Sequence, residues 1–343
     1  MPVLKQHMSI AARGIRAFLN LEAGVTRAVP EETRQAQGQA ADQNQGHRQP
    51  VSENGEAPAE RAGAVPENIV WIFGSGRSGS TWLSSMMGEM SGQILWGEPW
   101  VGTLFGNFYY SQDQRRRQNP QFILGRHRES WLGSIRNFVL DAAGVTFPDL
   151  TRENYLVIKE PNGSVGAPLL MQALPESRMI LLVRDPRDVV ASSLDARREG
   201  GWHFQRNKDR LYKDRKKPPK KGSVAFAEDR AKNYLQGMGR AKEAYDAHEG
   251  PKVLVKYEEL RTDTLGEMKR IYSTLGAPVD EEELERVVEK HSWENIPEEE
   301  KGEGKFYGKG KPGGWKEDLT PEQAEAIEKV TAPLLKELYP EKV

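Results

Sequence analysis

Gly74-Ser75-Gly76-Arg77-Ser78-Gly79-Ser80-Thr81 combines glycines, hydroxyls and one cation in eight residues. Glycine lets a backbone turn tightly, hydroxyls and amides donate hydrogen bonds, and the arginine adds charge, so the stretch is suited to holding an oxyanion. The spacing Gly74-x-x-x-x-Gly79-Ser80-Thr81 is the frame of a nucleotide-binding P-loop, with Ser80 where such a loop has the lysine that reaches the β- and γ-phosphates. Arg77 is the only cation in the loop, which therefore suits an anion other than the β,γ end of ATP or GTP. Three further groups able to meet an anion, Lys159, Arg184 and Tyr257, each follow an apolar run.

Those runs are the elements that must position them. Ile69-Val70-Trp71-Ile72-Phe73 leads into the loop, and Leu83, Met86, Met87 and Met90 follow it at helical spacing, which predicts strand, turn, helix. Tyr155-Leu156-Val157-Ile158, Met179-Ile180-Leu181-Leu182-Val183 and Val253-Leu254-Val255 read as three more strands. Near-continuous apolar character marks strands covered on both faces, so the fold class is α/β, a parallel central sheet flanked by helices. Ligands bind such sheets at the carboxyl edge, where Arg77, Lys159, Arg184 and Tyr257 are expected to converge.

Asp185-Pro186 is an N-cap and first-turn pair, so a helix is expected to run through Leu194 and to carry Ser192 within reach of the same anion as Arg184. Ser223 is a candidate cap for a long helix over about 223–248, and 280–303 swing acidic, as in a solvated helix and turn. Thr320-Pro321-Glu322-Gln323 is a capping box that opens a helix with Ala324, Ile327, Val330, Leu334 and Leu338 on its apolar side.

The bulk properties bound the function. Forty-nine Lys and Arg against 50 Asp and Glu give a formal charge of −1, so no overall field draws the chain to nucleic acid or an anionic membrane. With no cysteine, disulfides, thiolate chemistry and Cys-ligated zinc are excluded, and the six histidines show no metal-ligand spacing. No apolar run approaches the ~18–20 residues of a membrane span and no signal peptide is visible, so the expected location is cytoplasmic. Residues 7–29 could form an amphipathic helix, read as an accessory element with membrane-surface contact as the alternative. Residues 30–66 have hardly a large apolar side chain and read as a flexible linker, which divides the chain into 1–65 and a folded domain at 66–343. The basic segment 206–221 reads equally as a solvated loop or as a lid over an anionic ligand.

Taken together, the motifs resemble those of sulfotransferases that use 3′-phosphoadenosine 5′-phosphosulfate (PAPS). Arg77 followed by Ser78-Gly79-Ser80-Thr81-Trp82 resembles their 5′-phosphosulfate loop, which usually carries lysine at the Arg77 place and arginine in many bacterial and carbohydrate-directed members. A strand, then Arg184-Asp185-Pro186-Arg187-Asp188, with Ser192 eight residues after Arg184, resembles the 3′-phosphate signature. Lys309-Gly310 and Gly313-Gly314-Trp315-Lys316 resemble the third element, with Gly308 at the place of its arginine and Lys311 as a possible substitute.

The resemblance covers about 66–340. It implies the P-loop NTPase-like sulfotransferase fold and transfer of a sulfuryl group from PAPS to an acceptor hydroxyl or amine, with release of 3′-phosphoadenosine 5′-phosphate (PAP) and no metal. By the same resemblance Arg77 and Lys159 stabilise the reacting group, Ser78, Gly79, Ser80 and Thr81 hold the 5′-phosphate, Arg184, Ser192, Lys309 and Gly310 hold the 3′-phosphate, and Trp82 and Tyr257 lie near the adenine.

Small-molecule members have a catalytic histidine two residues after the lysine, where this chain has Pro161. The base is therefore expected to be Glu98, which stands where carbohydrate-directed and some bacterial members carry a glutamate; Glu160 is the second choice and His127 the third. That choice points to a sugar or lipid-linked acceptor. The competing readings are a P-loop kinase or NTPase and a non-catalytic anion-binding protein.

Overall fold

The structure is a computed structural model that describes residues 63–340, apart from Pro120, Ile123, Arg126, residues 208–218 and Lys221. The expected helix over 7–29, nearly all of the 30–66 linker and most of the basic segment 206–221 lie outside the described residues.

The first half of the domain comprises β1 (Ile69–Phe73), α1 (Ser80–Glu89), β2 (Gln93–Gly97), α2 (Val101–Ser111), α3 (Arg128–Thr146), β3 (Tyr155–Lys159) and α4 (Ala167–Ala173). There follow β4 (Arg178–Val183), α5 (Pro186–Arg197), α6 (Val224–Ala247), β5 (Lys252–Lys256), α7 (Tyr257–Thr262), α8 (Thr264–Leu275), α9 (Glu281–Lys290) and α10 (Pro321–Leu338). The five strands are all parallel, in the order β2-β3-β1-β4-β5.

Successive side chains of a strand point to opposite faces, and here both faces are covered. Trp71, Phe73, Leu156, Ile158, Met179, Leu181 and Val183 pack with apolar residues of α3, α4, α6 and α10. Ile72, Val157, Ile180, Leu182, Val253 and Val255 pack on the other side with α1, α8 and α9. All five residues of β1 are buried, which is why that run has no polar alternation.

Four of these strands are the expected ones; the fifth, β2, is an addition. It lies at the edge of the sheet and is only half-buried, and its apolar run Ile94-Leu95-Trp96 is short and closed by Gly92-Gln93 on one side and Gly97 on the other. Its register puts Gly97 opposite Lys159, and the Glu98 N–H donates to the Lys159 carbonyl at 2.8 Å, so the ladder carries Glu98 to the carboxyl end of β3.

Local chemistry fixes the elements around that edge. Asp185 caps α5 by accepting from the Arg187 N–H at 2.9 Å, Ser223 caps α6, and Thr320 with Gln323 forms the reciprocal box at the start of α10. α2 lies directly on the turn after β3. A Cβ on Gly102 would stand 2.1 Å from the Gly163 carbonyl oxygen, and one on Gly106 would stand 2.5 Å from the Gly166 Cα, so glycine alone permits the approach.

Candidate functional site

The anion loop is folded by its own glycines. Gly79 has φ +91°, and a Cβ there would stand 2.5 Å from the Tyr257 ring, so both conformation and space demand glycine. Gly74 is clamped by Ser164, whose Oγ accepts from the Gly74 N–H at 2.9 Å and donates to its carbonyl at 2.7 Å. α1 then starts at Ser80 with no side-chain cap, so its first amides face the loop.

Ten of the eleven expected cofactor residues line one cleft at the carboxyl edge of the sheet; Ser78, the eleventh, is buried within the loop. The Arg77 Nε–H donates to Ser192 Oγ at 3.0 Å and a terminal N–H donates to the Phe306 carbonyl at 2.8 Å. Its guanidinium also lies 5.4 Å from the ring centres of both Trp202 and Phe306. Burial, and then the neighbouring Arg184, bring its pKa down to about 10, so it remains charged at neutral pH. Burial, and then the nearby Arg197 and Arg77, push His203 down to about 4.

Arg184 lies 4.2 Å over the Tyr257 ring and donates to the Arg77 carbonyl at 3.0 Å. No ion pair joins Arg77 or Arg184 to a carboxylate among the described residues. Arg187, on the next turn, takes the opposite role, bonded to Asp185 and Glu328 at 2.7 Å each. Asp188 accepts from the Gly313 and Trp315 N–H groups at 2.8 and 3.0 Å and so ties the glycine-rich loop to α5. Lys309 reaches the cleft wall but is bonded to Glu317 at 3.0 Å and Asp318 at 2.7 Å, and Lys311 is bonded to Glu317.

Thr81 joins the cleft to a second cluster. Lys159, 8% exposed, places its ammonium 2.7 Å from Glu98 Oε1 and 3.2 Å from Thr81 Oγ1. Asn162 donates to the other Glu98 oxygen at 2.8 Å. Glu98 and Trp100 adopt left-handed φ values of 55° and 63°, uncommon for such side chains, and the backbone is bent there to present the carboxylate.

Glu160 points elsewhere. It is 1% exposed and accepts from the Trp100 N–H at 3.0 Å, holding the start of α2. Burial, reinforced by nearby Glu98, pushes its pKa up to about 7 against the pull of the Trp100 and Gly102 N–H groups. His127 is exposed at the start of α3, and no hydrogen bond or ion pair joins it to Lys159, Glu98 or Arg77 among the described residues.

The Glu160 shift gives a pH dependence. Its carboxyl titrates near 4.5 when unfolded and about 7 when folded, so over that interval the folded chain binds more protons and stability falls as pH rises. Glu160→Gln removes this slope. Melting curves from pH 5 to 8 are expected to show the wild type losing stability relative to the variant, with the loss complete above about pH 7.

Several residues that line the cleft or touch Arg77 and Glu98 escaped the sequence reading. Arg261 lies one turn after Tyr257 on α7, donates to the Gly310 carbonyl at 3.2 Å and lies between the rings of Trp82 (5.8 Å) and Trp293 (5.5 Å). The i, i+4 relation to Tyr257 was the available signal. Trp202, Trp293 and Asn162 come from segments with no motif of their own.

A parallel sheet with a glycine-rich loop after its central strand and two arginines converging on one cleft defines a P-loop-like α/β protein. A sulfotransferase domain model matches residues 67–339, and the chain belongs to the sulfotransferase family. It is 26% identical over 190 residues to cytosolic sulfotransferase 17 of Arabidopsis thaliana, an alignment covering 45% of this chain and 50% of that protein. It is 30% identical over 172 residues to sulfotransferase 2A1 of Rattus norvegicus, covering 45% of this chain and 55% of that protein. The chain thus spans about half the length of the curated relatives it matches. The structure of sulfotransferase STF9 from Mycobacterium avium shares the fold at a TM-score of 0.50 and 15% identity, over 80% of this chain and 77% of that one. Among the described residues no helix is long and apolar enough to cross a membrane, and no group of three or more metal-ligating side chains is placed to hold an ion.

Proposed function

We propose that residues 66–343 form a catalytic domain that transfers a sulfuryl group from PAPS to an acceptor hydroxyl or amine and releases PAP. The observation that carries this reading is the pairing of Arg77 and Arg184, both without carboxylate partners, beside the glycine-rich loop. Arg184 Nε, on a side chain that lines the cleft, is buried without a hydrogen-bond partner, an arrangement that costs free energy until an acceptor meets it. A phosphate-bearing ligand supplies acceptors of that kind.

Arg184 and Ser192 hold the 3′-phosphate, with the Lys309-Gly310 loop closing over it. The Gly79–Thr81 amides and hydroxyls, with Ser78, hold the 5′-phosphate, and Trp82 and Tyr257, joined by Arg261 and Trp293, flank the adenine. Bound PAPS supplies an activated sulfuryl group on a good leaving group. Lys159 and Arg77 neutralise the charge that grows on the leaving oxygen and on the sulfuryl oxygens, so fixed cations lower the barrier. Glu98 accepts the acceptor's proton as the acceptor oxygen bonds to sulfur, while Asn162 and Lys159 orient its two oxygens.

The use of Glu98 rather than a histidine at Pro161 supports a sugar or lipid-linked alcohol as acceptor. PAPS carrying a labelled sulfuryl group, incubated with the protein and such alcohols, is expected to label one of them. Glu98→Gln is expected to slow that transfer about 10²–10⁴-fold with PAP affinity unchanged. Transfer by the variant at the wild-type rate would exclude Glu98 as the base.

A further inference from the structure

Seven large apolar side chains stand exposed among the described residues, and five of them, Trp100, Leu104, Phe108, Phe138 and Val145, belong to α2 with its N-cap and to α3. Trp100, Leu104 and Phe108 are 55%, 52% and 54% exposed and recur every fourth residue, so they form one stripe about 12 Å long. The helix cannot roll this stripe inward. Its opposite side is locked by the backbone contacts of Gly102 and Gly106, and Phe105 packs edge-on against Phe138 at 5.5 Å. Contiguous apolar surface of this kind marks a contact with a partner or a membrane.

The charge beside the stripe identifies the occupant. Arg115, Arg116 and Arg117 form a single-turn helix with Gln114 just beyond the carboxyl end of α2. The Arg116 guanidinium donates to Gln112 Oε1 at 2.9 Å, and that of Arg117 lies 5.3 and 5.7 Å from the Tyr109 and Tyr110 ring centres, so both are held against the carboxyl end of α2. Among the described residues no ion pair joins any of the three to a carboxylate. The whole chain has a charge of only −1, so this is a local device and not a general field.

We propose that α2 and the arginines after it dock on an anionic lipid bilayer, with Trp100, Leu104 and Phe108 at the boundary of headgroups and acyl chains and the arginines on the phosphates. The stripe begins two residues after Glu98, so docking holds the Lys159–Glu98 pair at the membrane edge. Resting on the sulfotransferase reading above, the acceptor class is then an alcohol carried in the bilayer.

The test is sedimentation of the full chain with vesicles of phosphatidylcholine alone or of phosphatidylcholine and phosphatidylglycerol in equal parts, with PAP titration as an independent report on the cleft. The wild type is expected to partition at least about tenfold more strongly onto the anionic vesicles. Leu104→Ser with Phe108→Ser, and separately Arg115→Gln with Arg116→Gln and Arg117→Gln, are each expected to reduce that partitioning about tenfold or more with PAP binding intact. Three outcomes overturn the proposal: no binding to either vesicle, binding that survives both variants, or a dimer in solution that the Leu104/Phe108 variant dissociates, which would make a second copy the occupant. Vesicle binding without PAP binding would support docking and contradict the sulfotransferase reading, so the two fail separately.

Discussion

Lys159→Ala is expected to slow sulfuryl transfer by about a thousandfold or more while PAP affinity changes by no more than a few fold. The ammonium is almost fully desolvated and fixed between Glu98 Oε1 at 2.7 Å and Thr81 Oγ1 at 3.2 Å, at the junction of the cofactor cleft with the Glu98 cluster. A preorganised charge in such a setting acts most strongly on charge that appears only in the transition state, and single donors of this kind are worth about 10²–10³ in rate. The variant also leaves Glu98, the proposed base, without its cation, so the two losses compound. Single-turnover rates beside PAP titrations check this. A fall in affinity equal to the fall in rate would show that Lys159 holds the ground state instead.

Arg184→Ala is expected to weaken PAP binding about a hundredfold or more. Arg184 presents an unpartnered buried Nε, stacks on Tyr257 and ties down the Arg77 carbonyl, so its loss removes a charge-assisted contact and loosens the loop carrying Arg77. Truncating one member of a desolvated charged pair costs about 2–5 kcal/mol, which is the expected scale once the phosphate is its partner. Titration calorimetry measures the change. Unaltered affinity would move the 3′-phosphate site away from α5.

The contrast between Arg184 and Arg187 shows what the sequence could and could not reveal. Both stand in Arg184-Asp185-Pro186-Arg187, and the strand-then-cap pattern located them both. Only the packing shows that Arg187 is consumed by Asp185 and by Glu328, 141 residues away, which leaves Arg184 to the cleft. β1, β3 and β4 were legible because strands covered on both faces leave continuous apolar runs, and β5, at one edge of the sheet, through Val253-Leu254-Val255 between two lysines. β2 was not, because its run Ile94-Leu95-Trp96 lies between Gly92-Gln93 and Gly97, where the flanking glycines read as turn chemistry.

The anion loop was legible because its chemistry is local, within nine residues. Pairings that span the fold were not. Lys159 with Glu98 depends on the parallel register of β2 and β3, and Arg77 with Phe306 depends on a loop 229 residues on. The carboxylates that hold Lys309 lie only eight and nine residues away, but the one-turn helix Trp315–Asp318 that carries them is tied down by the hold of Asp188 on Gly313 and Trp315. Glu160, the second choice of base, follows Lys159 directly in the sequence. The backbone takes its side chain under α2 instead, where it accepts N–H groups.

The most direct test of the central claim is calorimetric titration of PAP into the full chain, with Mg·ATP titrated in parallel. The cleft, with Arg77 as the loop's only cation and Arg184 as the proposed contact for a second phosphate, is expected to bind PAP at least about a hundredfold more tightly than Mg·ATP. Absence of PAP binding, or Mg·ATP binding as tight as PAP, would contradict the account and restore the kinase reading.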